Sequence, residues 1–252
     1  MVMPRGIVIG LSVALGAVVV GLLTVLLNDT ELAAYVLDYH DHSLFKDVYP
    51  FTIQNLMHVI FFGALGDLLF QWLRARREHQ LVEKKLLPEQ DDVVLQAAEL
   101  VPIRRRLVGP FDEGQGLTPY LIDLCILRFQ ASGSVEQTAM VLGNALDLIT
   151  HRVDLRYSLS RYVSWLLPTI GFIGTVVGIA ETLRRVDPEQ PDLAVLTGTL
   201  GVAFSTTLVA LFLSAVLVLV QHVVQGRDEL AANRAGAYVL RNLVNRLYVA
   251  HR

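Results

Sequence analysis

The sequence predicts an all-α membrane protein: four transmembrane helices with long cytosolic helical extensions. Three observations lead there. Of its 252 residues, 53% are hydrophobic and only 18% charged, with a positive mean hydropathy, which is too apolar for an ordinary soluble domain. Four apolar stretches, 6–28, 48–73, 162–183 and 196–222, reach or approach the ~20 residues a helix needs to cross ~30 Å of hydrocarbon. The basic residues between them segregate to one side.

The first stretch carries no charge between Arg5 and Asp29. A single arginine before an apolar run also fits a signal peptide, but this run exceeds an h-region of ~7–15 residues and no clear small-residue cleavage site follows, so it is expected to stay as an anchor. The second stretch holds Gln54, Asn55 and His58 within about a turn, and Asp67 and Gln71 near its far end. An interhelical hydrogen-bond site is expected for His58 in preference to a proton relay, and a structural role for Asp67 and Gln71, where the carboxylate can reach the interface or pair with Arg74. The charged run after Leu73 prolongs this helix. A further helix is predicted over 90–107, with Pro102 as a break point, then a loop over 109–119 from its Gly and Pro content. Helical apolar spacing resumes over 119–131 and 134–160, and the latter is expected to run unbroken into the third span. The tail after Arg227 repeats an apolar face that continues the fourth.

Orientation follows from counting Lys and Arg. Residues 74–161 hold 12 of the 21, residues 227–252 hold five, and Arg5 precedes the first span. The connections 29–47 and 184–195 hold only Lys46, Arg184 and Arg185, among acidic residues such as Asp29, Glu31, Asp187 and Asp192. Both termini and the central region are therefore expected in the cytosol.

Several function classes lose support. A net charge of -3 and the lack of a basic tract interleaved with aromatics argue against nucleic acid as a partner. The single cysteine, Cys125, has no second thiol to pair with and reads as a buried, inert side chain. No CxxC, HExxH, GxxxxGK[ST] or GxSxG occurs, so metal, nucleotide and acyl chemistry are unsupported. No cofactor is expected, and no enzyme.

The third and fourth spans differ in kind from the first two. In LPTIGFIGTVVGIAETL, Gly171, Gly174, Thr175, Gly178 and Thr182 recur at steps of three and four, behind Pro168. In GTLGVAFSTTLVALFLSAV, Thr199, Ala203, Thr206, Thr207, Ala210 and Ser214 form a similar stripe. Two readings stay open: small residues let helix backbones approach, so the stripes are packing surfaces, or their hydroxyls line a polar path. Glu181, close to Arg184 and Arg185, is either a salt-bridge partner or a cation attractor at an outer mouth.

The order and wording of these segments carry a resemblance. PTIGFIGTVVGI resembles the proline-then-GLLGTVxGM pattern in the penultimate helix of ExbB and TolQ, and STTLVALF resembles the TxxGLF region of their last helix. A long cytosolic stretch precedes the first motif, and a short external loop separates the two. Over about residues 135–225 the chain is thus similar to the MotA/TolQ/ExbB proton-channel family, and four spans look more like MotA than three-span ExbB. Ala210 departs from the pattern, standing where the family usually has glycine, which leaves the register of the last span open by one residue.

The resemblance implies a channel (stator) subunit of an ion-driven inner-membrane motor, conducting protons or sodium. It implies a homopentamer whose inner helix pairs enclose a single-span MotB/ExbD/TolR-like partner. By motif match, Thr175 and Thr207, with Thr206 as the alternative, fall on the ion pathway. Gly171, Gly174, Gly178, Pro168, Ala203 and Ala210 fall on its packing and pore-lining faces, and Glu181 at its mouth. The domains implied are a helix pair (1–73), a cytosolic helical region (74–161), a channel-forming pair (162–226) and a cytosolic C-terminal helix (227–252). The sequence adds a chemical check: no ionisable residue lies between Arg161 and Glu181, or between Asp192 and His222. A proton relay needs such a group near midplane, so the titrating carboxylate is expected on the partner. A non-conducting membrane scaffold is the competing reading. A secondary transporter is disfavoured, because four spans lack the doubled topology and midplane charges of such folds.

Overall fold

The computed structural model describes residues 4–28, 30, 32–38, 49–90, 94–107, 116–186, 189 and 192–248. The chain order is α1 (Arg5–Leu27), α2 (Leu32–Leu37), α3 (Ile53–Glu83), α4 (Ala97–Leu107), α5 (Leu117–Ser132), α6 (Val135–Arg156), α7 (Ser158–Arg185), α8 (Leu193–Asn242) and a 3-10 turn, Val244–Arg246. There is no strand among the described residues, only an isolated bridge between Leu95 and Leu247. Among the described residues, four helical stretches are long and apolar enough to cross a membrane: Arg5–Leu27, Ile53–Glu83, Val135–Arg184 and Leu193–Arg246. The acidic connection around Lys46 and Asp47, and Asp187 in the second connection, lie outside the described residues.

Two compact units form, one from Met1–Phe70 with Tyr157–Val223, the other from Gln71–Arg156 with Val224–Arg252. In the first, α1 starts directly after Pro4, whose fixed φ suits entry to a helix. At 23 residues it rises ~34 Å, enough to span. It buries only Val8, Gly16 and Val20, and presents Leu11, Leu15, Val18, Leu22 and Val25 outward, as a helix facing hydrocarbon does. Its contact with α3 is made through small residues. A Cβ on Gly16 would stand 2.7 Å from the Cβ of Phe62, one on Gly63 3.3 Å from Val13, and one on Gly66 against the hydroxyl of Ser12. Close backbone approach is thus not confined to the last two spans. An ion pair, Arg5 Nε to Asp67 Oδ1 at 2.6 Å, and a hydroxyl contact between Thr24 and Tyr49 fix the two ends. Asp67 therefore pairs with Arg5 and not with Arg74, because α1 runs antiparallel to α3 and brings its charged start to that level. Thr52 begins α3 as a cap, accepting from the Asn55 N–H at 3.2 Å and donating to the Leu37 carbonyl at 3.0 Å. Short α2 lies on α8, where the Ser205 hydroxyl donates to the Tyr35 carbonyl at 3.1 Å and Ala34 packs with Val202, Ala203 and Ile179.

The second unit has its own core: Leu121, Ile122, Cys125, Ile126 and Phe129 of α5, Leu142, Ile149 and Val153 of α6, Val239 of α8 and Leu243 just after it. Turn chemistry sets its helix ends. Gly133 takes φ 61, in the left-handed region, and closes α5 by donating to Phe129 O at 2.8 Å. Ser134 then caps α6 through Gln137 N–H. Gly116, at φ 127, opens α5 where any side chain would meet Leu81. The Leu117 N–H beside it donates to Glu78 Oε2 at 2.8 Å. The predicted loop over 109–119 is consequently shorter: α5 already begins at Leu117, with Pro119 in the first turn, where its missing N–H costs nothing, and residues 109–115 lie outside the described residues.

Other boundaries moved too. The helix predicted from 90 begins at Ala97, and Leu95 instead exchanges backbone bonds with Arg246 and Tyr248. Pro102 sits inside α4 without ending it, because the carbonyl it leaves unbonded, that of Ala98, is on an exposed turn. The run expected unbroken from 134 is interrupted at one residue, Tyr157 (φ −87, ψ 2), before α7 begins, whereas α8 does continue unbroken into the tail. Arg104 Nε lies 2.8 Å from Oδ1 of buried Asp123, while Arg105 and Arg106 are exposed. Burial pushes the Cys125 thiol up to about 12, so the reactive thiolate is suppressed. Maleimide at pH 7.5 is expected to leave Cys125 unlabelled in folded protein and to label it fully in denaturant. Equal rates in both would show that the α5 core opens freely.

Candidate functional site

The site starts from a proline. Pro168 in α7 has no N–H, so the carbonyl four residues earlier, on Ser164, loses its helical partner. Ser214 of α8 supplies one, its hydroxyl donating to Ser164 O at 2.7 Å. Serine at 214 thus allows a proline in an apolar helix, where an orphaned carbonyl is costly. Ser214→Ala is expected to lower stability by about 1–3 kcal/mol, the cost of an unsatisfied buried acceptor. The readout is a fall in the melting temperature of the detergent-purified protein; an unchanged value would mean that water reaches Ser164 O.

One and two turns further along α7, backbone meets backbone. A Cβ on Gly171 would press on the Cβ of Ala210 and stand 3.2 Å from Thr207 Cα; one on Gly174 would lie 2.5 Å from Thr206 Cγ2 and 3.2 Å from Ile53 of α3. Ala203 and Ala210 are fully buried, and Gly178 is buried. Gly171 and Gly174 thus join α7 to α8 within one chain.

That approach brings the two motif threonines together. Thr175 Oγ1 and Thr207 Oγ1 are 2.5 Å apart. Thr207 donates to Gly171 O at 3.0 Å, and Thr175 lies 2.9 Å from Ala203 O and 3.3 Å from Gly171 O. Both side chains are half-buried. Thr206 points elsewhere: it is 2% exposed, donates to Val202 O at 3.1 Å, and accepts from Gln54 Nε2 of α3 at 2.9 Å. The off-by-one choice between Thr206 and Thr207 therefore corresponds to two different neighbours, an amide on α3 and a hydroxyl on α7.

Gln54 is the residue that sequence reading undervalued. It was visible as an amide within a span, which must find a partner, but nothing in the sequence named Thr206 as that partner. His58 is buried and its Nδ1 lies 2.7 Å from Gln54 O; facing a carbonyl, that nitrogen is the donor. The bond is within α3, so the interhelical contact expected of His58 is made by Gln54 instead. Asn55 donates to Pro50 O at 3.0 Å, leaving its buried Oδ1 without a partner. Glu181 lies 3.8 Å from Arg184, a loose end-of-helix pair.

Residues 121–235 match the MotA/TolQ/ExbB proton channel family. The match begins in α5 and ends in α8, and so reaches beyond the 135–225 on which the motif resemblance rested. No curated protein and no solved structure matches the chain.

Proposed function

We propose, from the match of residues 121–235 to the MotA/TolQ/ExbB proton channel family, that the protein is the channel subunit of an ion-motive-force-driven motor in a bacterial inner membrane. The observation that carries the proposal is the Thr175–Thr207 hydroxyl pair, half-buried on two helices that hold no ionisable residue between Arg161 and Glu181 or between Asp192 and His222. A charge crossing hydrocarbon needs a titratable group. It comes, on this reading, from an aspartate in a single-span MotB/ExbD/TolR-like partner enclosed by a homopentamer.

The hydroxyl pair suits both states of such a carboxyl group. Each hydroxyl has one proton and two acceptor positions. When the partner carboxyl is protonated, its O–H donates to a free acceptor position of Thr175 or Thr207, while one hydroxyl proton stays between the two oxygens and the other stays on a backbone carbonyl. When it is ionised, a hydroxyl turns its proton from a carbonyl to the carboxylate. Gly171 O and Ala203 O tolerate the loss because each also lies within a helix, where the N–H four residues on is their regular partner. Ion passage then needs only hydroxyl rotation, with no movement of α7 against α8.

The excess of Lys and Arg in 74–161 and 227–252 supports cytosolic termini and a cytosolic central region. Exposed Phe172, Val176, Phe204, Leu208 and Phe212 offer apolar surface on α7 and α8 for neighbouring subunits, since their glycine faces are already occupied. The scaffold reading separates from this one by composition of the complex. Chain purified from its native membrane is expected to carry a single-span protein with an intramembrane aspartate at substoichiometric ratio. A homo-oligomer lacking any such chain at full recovery would favour the scaffold.

A further inference from the structure

In the second unit, α3 and α8 form a cavity of about 460 Å³ whose walls include Trp72, Arg76, His79, Glu83, Arg227 and Arg234. We infer that this groove is a binding site for the phosphodiester headgroup of an anionic membrane phospholipid.

Charge is the first argument. Three guanidinium groups face one carboxylate, and His79 Nδ1 lies 3.5 Å from Arg234 Nη1. The groove therefore has a net positive charge. Planar guanidinium forks match phosphate oxygens in pairs and are less strongly hydrated than ammonium, so the choice of arginine over lysine at all three positions favours a phosphate.

Position along the helices is the second. Trp72 directly precedes Leu73, the end of the apolar run of α3, and Arg76 follows three residues later; Arg227 likewise comes three residues after Val224 in α8. Three residues rise ~4.5 Å along a helix, which keeps these groups at headgroup depth, where tryptophan and arginine concentrate. Arg76 already lies over the Trp72 ring, 5.6 Å from its centroid, so its charge is held at the groove and its hydrogen-bonding edges remain for a ligand. Arg234, further from the span, reaches back along its apolar stem. Glu83 is the exception to the basic lining.

The chemistry of a phosphate alone would admit free phosphate; the tryptophan and the adjoining apolar runs commit the site to a lipid. The test uses the full chain purified in detergent, with three additives at equal concentration: dioctanoyl phosphatidylglycerol, dioctanoyl phosphatidylcholine and inorganic phosphate. The readouts are melting temperature and lipid retained in native mass spectrometry. Phosphatidylglycerol is expected to raise the melting temperature and remain bound, and the other two to do neither. Arg227→Gln with Arg234→Gln, both at exposed positions, is expected to weaken the phosphatidylglycerol effect roughly thirtyfold in midpoint concentration, as two basic groups facing an anionic lipid imply. Arg105→Gln with Arg106→Gln removes the same charge from α4 and is expected to leave it unchanged. Equal effects of phosphatidylcholine, equal effects of inorganic phosphate, or equal losses in the two double variants would each overturn the assignment. None of these outcomes bears on conduction, so the channel proposal stands or falls separately.

Discussion

Gly171→Leu is expected to abolish recovery of folded protein, because the residue lies where α7 and α8 touch backbone to backbone. Even a methyl group there would press on Ala210 Cβ with Thr207 Cα only 3.2 Å away. Those neighbours are a fully buried side chain and main-chain atoms, neither of which can swing aside. The helices would have to separate, and separation would also break Thr207 to Gly171 O, Thr175 to Ala203 O and Ser214 to Ser164 O. Overpacking alone costs ~1–3 kcal/mol, and three bonds lost at ~0.5–1.5 kcal/mol each raise the total to a large part of a typical stability of ~5–15 kcal/mol. Gly143→Ala is the matched control. Gly143 is exposed in α6 with nothing near its Cβ position, so alanine there is expected to stabilise by about 0.5–1 kcal/mol through helix propensity. Yield and melting temperature in detergent distinguish the two; a Gly171→Leu protein that melts with the parent would show that α7 and α8 do not meet at this face.

How far these features could be read from sequence depends on the range of the physics behind each. The spans are a matter of local composition, and α1, α3, α7 and α8 appear where the apolar runs lie. The small stripes of α7 and α8 are periodic, and their residues are the ones that meet. Partners chosen across the fold were not legible. Asp67 has Arg74 nearby in sequence yet pairs with Arg5, 62 residues away, because antiparallel packing of α1 on α3 brings them level. Gln54 reaches Thr206 across 152 residues. The contact of α1 with α3 was missed because its glycines are split between the two helices, Gly16 facing Phe62 while Gly63 and Gly66 face Val13 and Ser12, so neither helix carries a continuous small stripe. Helix ends near Leu95 and Leu117 shifted for a related reason: a bridge to the far end of the chain and a carboxylate from α3 decide them.

On the proposed function, the Thr175–Thr207 pair is the part of this chain that handles the ion. Valine matches threonine closely in shape and lacks only the hydroxyl, so Thr175→Val with Thr207→Val preserves the small-residue contact of α7 on α8. No backbone group is orphaned, since Gly171 O and Ala203 O keep their helical partners. The cost to stability is expected to be ~1–3 kcal/mol, from two neutral bonds at ~0.5–1.5 kcal/mol each. For conduction the change is far larger, because a partner carboxylate facing two valines has no hydroxyl to solvate it in hydrocarbon, and its ionised form becomes inaccessible. The decisive measurement is ion flux into vesicles that contain the chain together with its single-span partner, comparing parent and double-valine protein at matched oligomer content. Loss of at least nine-tenths of the flux, roughly 1.4 kcal/mol or more on the barrier, with the oligomer intact is the predicted result; equal flux in the two would contradict it and leave both stripes as packing surfaces alone.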